Sequence, residues 1–398
     1  MSAAERTPMS FARSSGRGRV IYIDTVTLAL VLAIVLFGLI MMTSASISIA
    51  GHYTGQPFYF LERQLIAVAL GVAGGVFVFS FKCERLERLS PWLMIGAIVL
   101  LLAVLVPGLG VRVNGGRRWL HLAGLSFQVS ELASVLVMVY IASYATRRQD
   151  ELQESFGGLL KPLLLLALIA ALLLGEPDFG SAAVLFATGF GILFLAGARL
   201  RDVVLLTVVA VIAFALLAVT SAYRLRRITN FIDPWASAYG AGFQLTQSLI
   251  AIGRGKWFGV GLGNSVQKLF YLPEAHTDFL FAVLAEELGL AGVLLTIGLF
   301  VALVWRSFQI AELAARAGLT FHRLLAAGFG LWLGMQTFIN IGVNMGILPT
   351  KGLTLPMMSY GRSSMIMTLV WVGLLLRIYH EALIESRGAA RLRAEDGQ

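Results

Sequence analysis

A carboxylate where a polar segment meets a long apolar run can serve as a general base, because apolar surroundings raise its pKa toward the working range. Asp278 stands at such a junction, in Tyr271-Leu272-Pro273-Glu274-Ala275-His276-Thr277-Asp278-Phe279. His276 supplies a donor or a second titrating group two residues earlier. The same stretch also reads as a helix start, with Thr277 or Asp278 satisfying free backbone amides. Residue type leaves both readings open.

Three further clusters share this character. Asn114-Gly115-Gly116-Arg117-Arg118-Trp119 leads to Ser126-Phe127-Gln128-Val129-Ser130-Glu131. A guanidinium beside an indole suits an anionic headgroup, since Arg grips phosphate oxygens in a fork; it equally suits interfacial anchoring. Ser130 before Glu131 reads as a helix cap with a carboxylate at the positive end. Gly175-Glu176-Pro177-Asp178-Phe179-Gly180 reads as a tight turn or, through its two acids, as a cation site. Leu355-Pro356-Met357-Met358-Ser359-Tyr360-Gly361-Arg362-Ser363-Ser364 offers hydroxyls, amides and one guanidinium, with capping as the plain alternative. Glu286 and Glu287 lie deeper in the run that Asp278 opens, where carboxylates are costly and face a polar interior. Adjacent on a helix, they point about 100° apart and do not make a dyad.

These residues need a frame, and composition supplies it. Of 398 residues 58% are hydrophobic and 13% charged, about half the charge of an ordinary soluble domain. Mean hydropathy is +0.82. A soluble enzyme and a basic nucleic-acid binder are both excluded. One cysteine, Cys83, makes no internal disulfide, and no Cys/His spacing suggests a metal site. Apolar runs predict ten transmembrane helices near 25–49, 64–81, 89–107, 130–146, 159–175, 180–197, 202–220, 278–305, 324–346 and 364–380. The expected fold is an all-α polytopic membrane protein, without strands in the spans, carrying a large extracytoplasmic loop, 221–277, between helices seven and eight. Within that loop Gly242–Ile252 has helical spacing suited to the membrane surface. Segments 1–20 and 386–398 read as cytoplasmic tails around one domain, 21–385. The run from Thr25 exceeds a signal-peptide core and reads as a retained span, despite Ser44-Ala45-Ser46 after it.

Nineteen of the 31 Lys and Arg residues fall on the face that holds both termini. The other face has 12, six of them in the long loop. Long loops translocate regardless of charge, so the useful contrast is 19 against 6, and both termini are expected in the cytoplasm. The four clusters then face outward. Physics alone leaves an anionic lipid-linked substrate and a transporter vestibule as readings of them.

The clusters together resemble the SEDS family (shape, elongation, division and sporulation), from the first span to about Tyr379. The specific part runs from Asp233-Pro234-Trp235 through Gln244-Leu245-Thr246-Gln247-Ser248 and Gly261-Leu262-Gly263-Asn264-Ser265-Val266-Gln267-Lys268. It ends at His276-Thr277-Asp278-Phe279 and Ala285-Glu286-Glu287-Leu288-Gly289. The run Gly263 to Lys268 is similar to the division branch rather than the elongation branch. The resemblance implies a peptidoglycan glycosyltransferase that polymerises lipid II outside the inner membrane at the septum. It implies a class B penicillin-binding transpeptidase and other divisome membrane proteins as partners, and no nucleic acid.

It also sets the family's essential aspartate on Asp278 as catalytic base. Substrate-binding candidates are Arg118, Trp119, Glu131, Asp178, Lys268, His276, Ser359 and Arg362, with Glu286 and Glu287 as polar interior. Three departures stand out. Val129 replaces the usual Pro before Ser130, and Ser134 stands where a Lys follows Glu131. Glu176 stands where glutamine is common, and Arg362 where glycine is. Leaving-group charge would be met by Arg118, other loop arginines, or a divalent cation such as Mg²⁺ or Mn²⁺. The competing function is a lipid II flippase, with Glu286 and Glu287 along a polar path.

Overall fold

The computed structural model describes residues 21–113, 116–122, 125–220, 231, 233–240, 242–349 and 352–396. The expected tail 1–20, Asn114, Gly115 and most of 221–232 lie outside the described residues. Twelve helices among the described residues are numbered here in chain order. They are α1 Thr25–Thr54, α2 Tyr59–Phe79, α3 Cys83–Leu105, α4 Val129–Arg147, the short α5 Gln149–Glu154, α6 Phe156–Gly175 and α7 Phe179–Leu195. Then come α8 Leu200–Val219, α9 Phe243–Gly255, α10 Leu280–Arg316, α11 Thr320–Asn344 and α12 Arg362–Asp396. Each expected span falls on a helix, and among the described residues eight helices are long and apolar enough to cross a membrane by length and composition. The apolar α7 has only 17 residues. The segment expected as a C-terminal tail continues α12 as helix to Asp396.

Contacts sort the helix ends onto two faces. On one, Arg306 of α10 pairs with Asp24 before α1 at 2.7 Å. Glu381 of α12 meets Arg377 at 2.6 Å, His322 of α11 at 2.7 Å and the amide of Cys83 at the start of α3. Arg199 before α8 donates to Gln153 O, and Arg323 donates to Leu195 O at the end of α7. The opposite face gathers the described parts of the α3–α4 and α6–α7 connections, of the segment 233–279 and of the loop 345–361. Among the described residues Arg199, Arg306, Arg323 and Arg377 lie on the first of these faces.

Outside the spans, the α3–α4 connection adds a three-stranded antiparallel sheet, β1 Gly110–Val113, β2 Gly116–Leu122 and β3 Leu125–Gln128, in that order. The ban on open strands holds for lipid-exposed backbone, and this sheet lies outside the spans, where its edges meet water or protein. Trp119 pairs with Gln128 and Leu120 with Phe127, so β3 passes directly into α4 with the Arg118–Trp119 strand beside it.

The segment 243–268 does more than cover a surface. Helix α9 buries Leu245, Ser248, Ala251 and Gly255, and Ser248 donates to Asn344 O at 2.8 Å. The chain then threads a break in α10 at Gly289, whose φ is 64° and ψ −159°. Val260 N and Gly261 N donate to Glu286 O and Glu287 O, each at 3.0 Å. Beyond the break, Leu290 N and Ala291 N donate to Lys256 O and Trp257 O at 2.9 and 3.1 Å. The loop thus returns the hydrogen bonds that the helix loses, as non-helical backbone at membrane depth requires. A β-carbon on Gly289 would stand 2.4 Å from Gly259 N. Gly289→Ala should therefore cost at least about 2 kcal/mol through strain at positive φ, and a depressed Tm of the purified chain checks it.

Candidate active site

Asp278 lies half-buried in the turn before α10. The capping reading is corrected here. The helix starts at Leu280, its N-cap position is Phe279, and no side chain of the turn caps it. Asn344 of α11 does so instead, its Oδ1 accepting from Ala282 N at 3.1 Å. Asn344 Nδ2 and Asn340 Nδ2 each donate to Asp278 O at 3.0 Å. Asn340 Nδ2 also donates to Leu353 O at 2.6 Å, and Gln336 Nε2 to Thr354 O at 3.4 Å. Gly352 packs so closely on this carboxylate that a β-carbon there would lie 2.8 Å from Asp278 Oδ2. Sequence reading missed these amides. Their signal was available: Gln336, Asn340 and Asn344 recur every four residues on one face of an otherwise apolar span.

His276 and the loop before α12 form the adjoining wall. The imidazole is buried against Phe60 and Tyr360, at ring-centroid distances of 4.5 and 5.7 Å. Burial lowers its pKa, with Glu274 opposing, so the ring is neutral at pH 7. Tyr360 N donates to His276 O at 2.9 Å. Burial pushes the Tyr360 phenol up, although Arg362 and Arg63 hold it back. Arg362 is half-buried at the first turn of α12 and has no carboxylate partner among the described residues. Ser359 is buried and holds its own loop, accepting from Leu355 N at 3.0 Å. Gln64 of α2 clamps the same loop, donating to Ser359 O at 3.2 Å and accepting from Gly361 N at 3.4 Å.

A second polar centre joins α4, α7 and α11. Asp178 caps α7, accepting from Ser181 N at 3.2 Å and Ser181 Oγ at 2.9 Å. It also accepts from Ser130 Oγ at 3.2 Å and Gln128 Nε2 at 3.4 Å. The turn reading of this cluster holds, and four bonds occupy the Asp178 carboxylate. The Ser130 cap is corrected: α4 starts at Val129, and Ser130 is inside it, turned to Asp178. A cavity of about 10 Å³ between these helices is lined by Glu131, Ser130, Ser134, Ser181, Trp332 and Gln336. That is room for roughly one water. Gln336 and Leu353 connect this cavity to the loop held at Asp278.

Arg118 braces the sheet on the α6–α7 turn, its Nε donating to Glu176 O at 3.0 Å and its Nη2 to Pro177 O. Trp119 is half-buried on the same strand. The Glu176 side chain is buried with both carboxylate oxygens lacking a hydrogen-bond partner. Burial, then the charge of Asp178, pushes its pKa up to about 8, with Arg118 opposing. Glu176 is thus a neutral acid at pH 7.

Lys268 does not join these groups. It is buried in a separate lock, donating to Glu287 at 2.9 Å, Gly263 O at 2.6 Å and Ser44 at 3.1 Å. Ser44, part of the sequence faintly similar to a cleavage site, also donates to Glu287 at 2.8 Å. Glu286 accepts from Arg254 at 3.2 Å, from Val266 N and Gln267 N, and from Ser265 Oγ. The two carboxylates diverge around α10, yet the loop 260–268 wraps far enough to satisfy both. Both carboxylates are buried.

One group of three metal-ligating side chains stands close together among the described residues: Cys83, His322 and Glu381. It lies on the opposite face, and Arg377 and His322 already engage its carboxylate.

A family profile described as "Cell cycle protein" and covering FtsW, RodA and SpoVE matches residues 24–383. The chain belongs to this family. A protein of Thioalkalivibrio sulfidiphilus named "Probable peptidoglycan glycosyltransferase FtsW" is 54% identical, over 89% of this chain and 88% of its own length. One of the same name from Methylococcus capsulatus is 51% identical over 94% of both. Among solved structures, a chain from work described as "Structural coordination of polymerization and crosslinking by a peptidoglycan synthase complex" aligns with TM-score 0.74 and 31% identity. It covers 90% of this chain and 98% of that one. Thermus thermophilus Rod shape determining protein RodA aligns at 0.67 and 31%, covering 90% and 97%. The SEDS resemblance read from the motifs is this family.

The neutral Glu176 makes a testable pH signature. An ordinary glutamate releases its proton near 4.5, whereas this one keeps it to about 8 when folded. Folding takes up a proton between those values, so stability falls as pH rises through that window. Glu176→Gln removes this dependence. Its Tm advantage over the parent should be absent near pH 4.5, grow from pH 5 to 8 and stay constant above. A pH series of thermal melts checks this.

Proposed function

We propose that this chain is a peptidoglycan glycosyltransferase that polymerises lipid II at the division septum, with Asp278 as general base. The carrying observation is Asp278 itself. A carboxylate at the junction of a loop and a long apolar helix is anchored through its backbone by Asn340 and Asn344, in a chain 51–54% identical to proteins named for that activity. Asp278 takes the proton of the acceptor's GlcNAc 4-hydroxyl as that oxygen attacks the anomeric carbon of the chain's terminal MurNAc. The undecaprenyl pyrophosphate departs and a β-1,4 bond forms with inversion. Base assistance is worth about 10²–10⁴-fold.

The arginines divide the remaining work. Arg118 is engaged by two backbone carbonyls and shapes the wall, leaving Arg362 as the more available cation for diphosphate oxygens. Trp119, on the Arg118 strand, offers an interfacial surface to the lipid-linked sugar, and Glu131 lines the cavity behind the loop. A divalent cation is the other source of positive charge. Among the described residues no three-ligand group stands on this face, and no step is assigned to a protein-held metal. Glu286 and Glu287 are each paired with a cation, Arg254 and Lys268, which favours a structural role for them over the transport path a flippase would need.

A single-pass class B penicillin-binding transpeptidase is the expected partner. The aligned synthase complex, whose description couples polymerisation to crosslinking, supports it. Other divisome membrane proteins would complete the assembly.

Asp278→Asn tests the chemistry. Asparagine preserves shape and hydrogen-bond acceptance but takes no proton at neutral pH. Lipid II polymerisation by the purified complex should fall about 10²-fold or more at unchanged Tm, and near-normal polymerisation would sink the mechanism. The orientation, with both termini in the cytoplasm of an inner membrane, follows from the Lys and Arg asymmetry. A reporter active only in the cytoplasm should give signal when fused at residue 392 and none near residue 240; the reverse pattern would put Asp278 on the wrong side.

A further inference from the structure

The chemistry above uses Asp278 but not the amides that hold it. Asn340 and Asn344 are 2% and 0% exposed, one turn apart on α11. Two buried primary amides in an apolar span carry a desolvation cost that only well-made hydrogen bonds offset. Their bonds have different jobs. Asn344 closes α10 by accepting from Ala282 N and also donates to Asp278 O. Asn340 closes no helix. Its Nδ2 bridges two carbonyls from separate segments, Asp278 O at 3.0 Å and Leu353 O at 2.6 Å. The residue before Leu353 is Gly352, whose Cα faces Asp278 Oδ2. The bridge therefore sets the spacing between the carboxylate and the loop that walls it.

We propose that Asn340 is a positioning residue for the Asp278 carboxylate, with Asn344 holding the same carbonyl from the capped end of α10. This rests on the reading of Asp278 as the base. The amides contact neither sugar nor diphosphate. They act by keeping the base where the acceptor hydroxyl arrives, a placement for which an error of about 1 Å can cost 10²-fold. The signature is a loss in kcat with substrate binding retained, because the groups that hold substrate remain.

The test is steady-state polymerisation of lipid II by the full chain in complex with its transpeptidase partner, with Tm recorded on each sample. Asn340→Leu keeps the volume and removes both donors. It should lower kcat about 10–100-fold with KM within about twofold. Parental kcat, or a rise in KM that accounts for the whole loss, would overturn the assignment. Should Asn340→Leu fail to fold, Asn340→Ala decides. It removes the same donor without a bulky side chain, so kcat should drop about 10–100-fold with KM within about twofold; parental kcat overturns the proposal. Asp278→Asn, measured alongside, separates the two ideas. Activity retained there removes the base, whereas an inactive Asp278→Asn with fully active amide variants removes only the positioning role.

Discussion

Backbone groups buried away from water must find partners inside the protein, and the architecture follows from how this chain meets that demand where its helices are broken. A bundle of intact helices satisfies itself. This one has a break in α10 at Gly289 and non-helical connections at 256–279 and 352–361. Each is repaid from elsewhere. The carbonyls of Glu286 and Glu287 receive the amides of Val260 and Gly261. The start of α10 receives Asn344, and the loop before α12 receives Gln64, Gln336 and Asn340. Side-chain amides dominate these repairs because one primary amide can donate and accept together without bringing a net charge into the membrane.

Charge is handled by the same economy of partners. Glu286 and Glu287 are buried deeply enough that each takes a cation and backbone amides, which makes them a lock between α1, α9, α10 and the loop 260–268. Asp178 is consumed by capping and by the α4–α7 junction. Glu176 has no hydrogen-bond partner for its carboxylate and is held neutral. The Asp278 turn, Arg362 and the Arg118–Trp119 strand stand at the edge of this polar system, on the face opposite the Asp24 and Glu381 ion pairs.

Motif reading marked these clusters, and the packing gives several of their residues structural partners that local spacing does not reveal. Asp278, Asp178, Ser130 and Ser359 all looked like plausible caps or contacts because each sits beside a helix start. Capping, however, is a contest among all groups within reach, including ones 62 residues away such as Asn344 and Ala282. Lys268 carried the same ambiguity. Its place in a family motif marked it for substrate, while the fold spends it on Glu287 and Ser44, from helices distant in sequence.

The sequence by itself determined the membrane class, the ten helical segments, the uneven placing of Lys and Arg among the connections and the aspartate at a helix junction. Those follow from local composition and spacing, since apolar length and flanking cations act segment by segment. Only the tertiary structure decided the sheet between α3 and α4, the repair of the broken α10 and which polar residues are spent on packing. It alone showed that Asn340 and Asn344 hold the Asp278 carbonyl. Such roles depend on which unsatisfied groups meet in space, and hydrogen-bond partners tens to hundreds of residues apart leave no periodic trace along the chain.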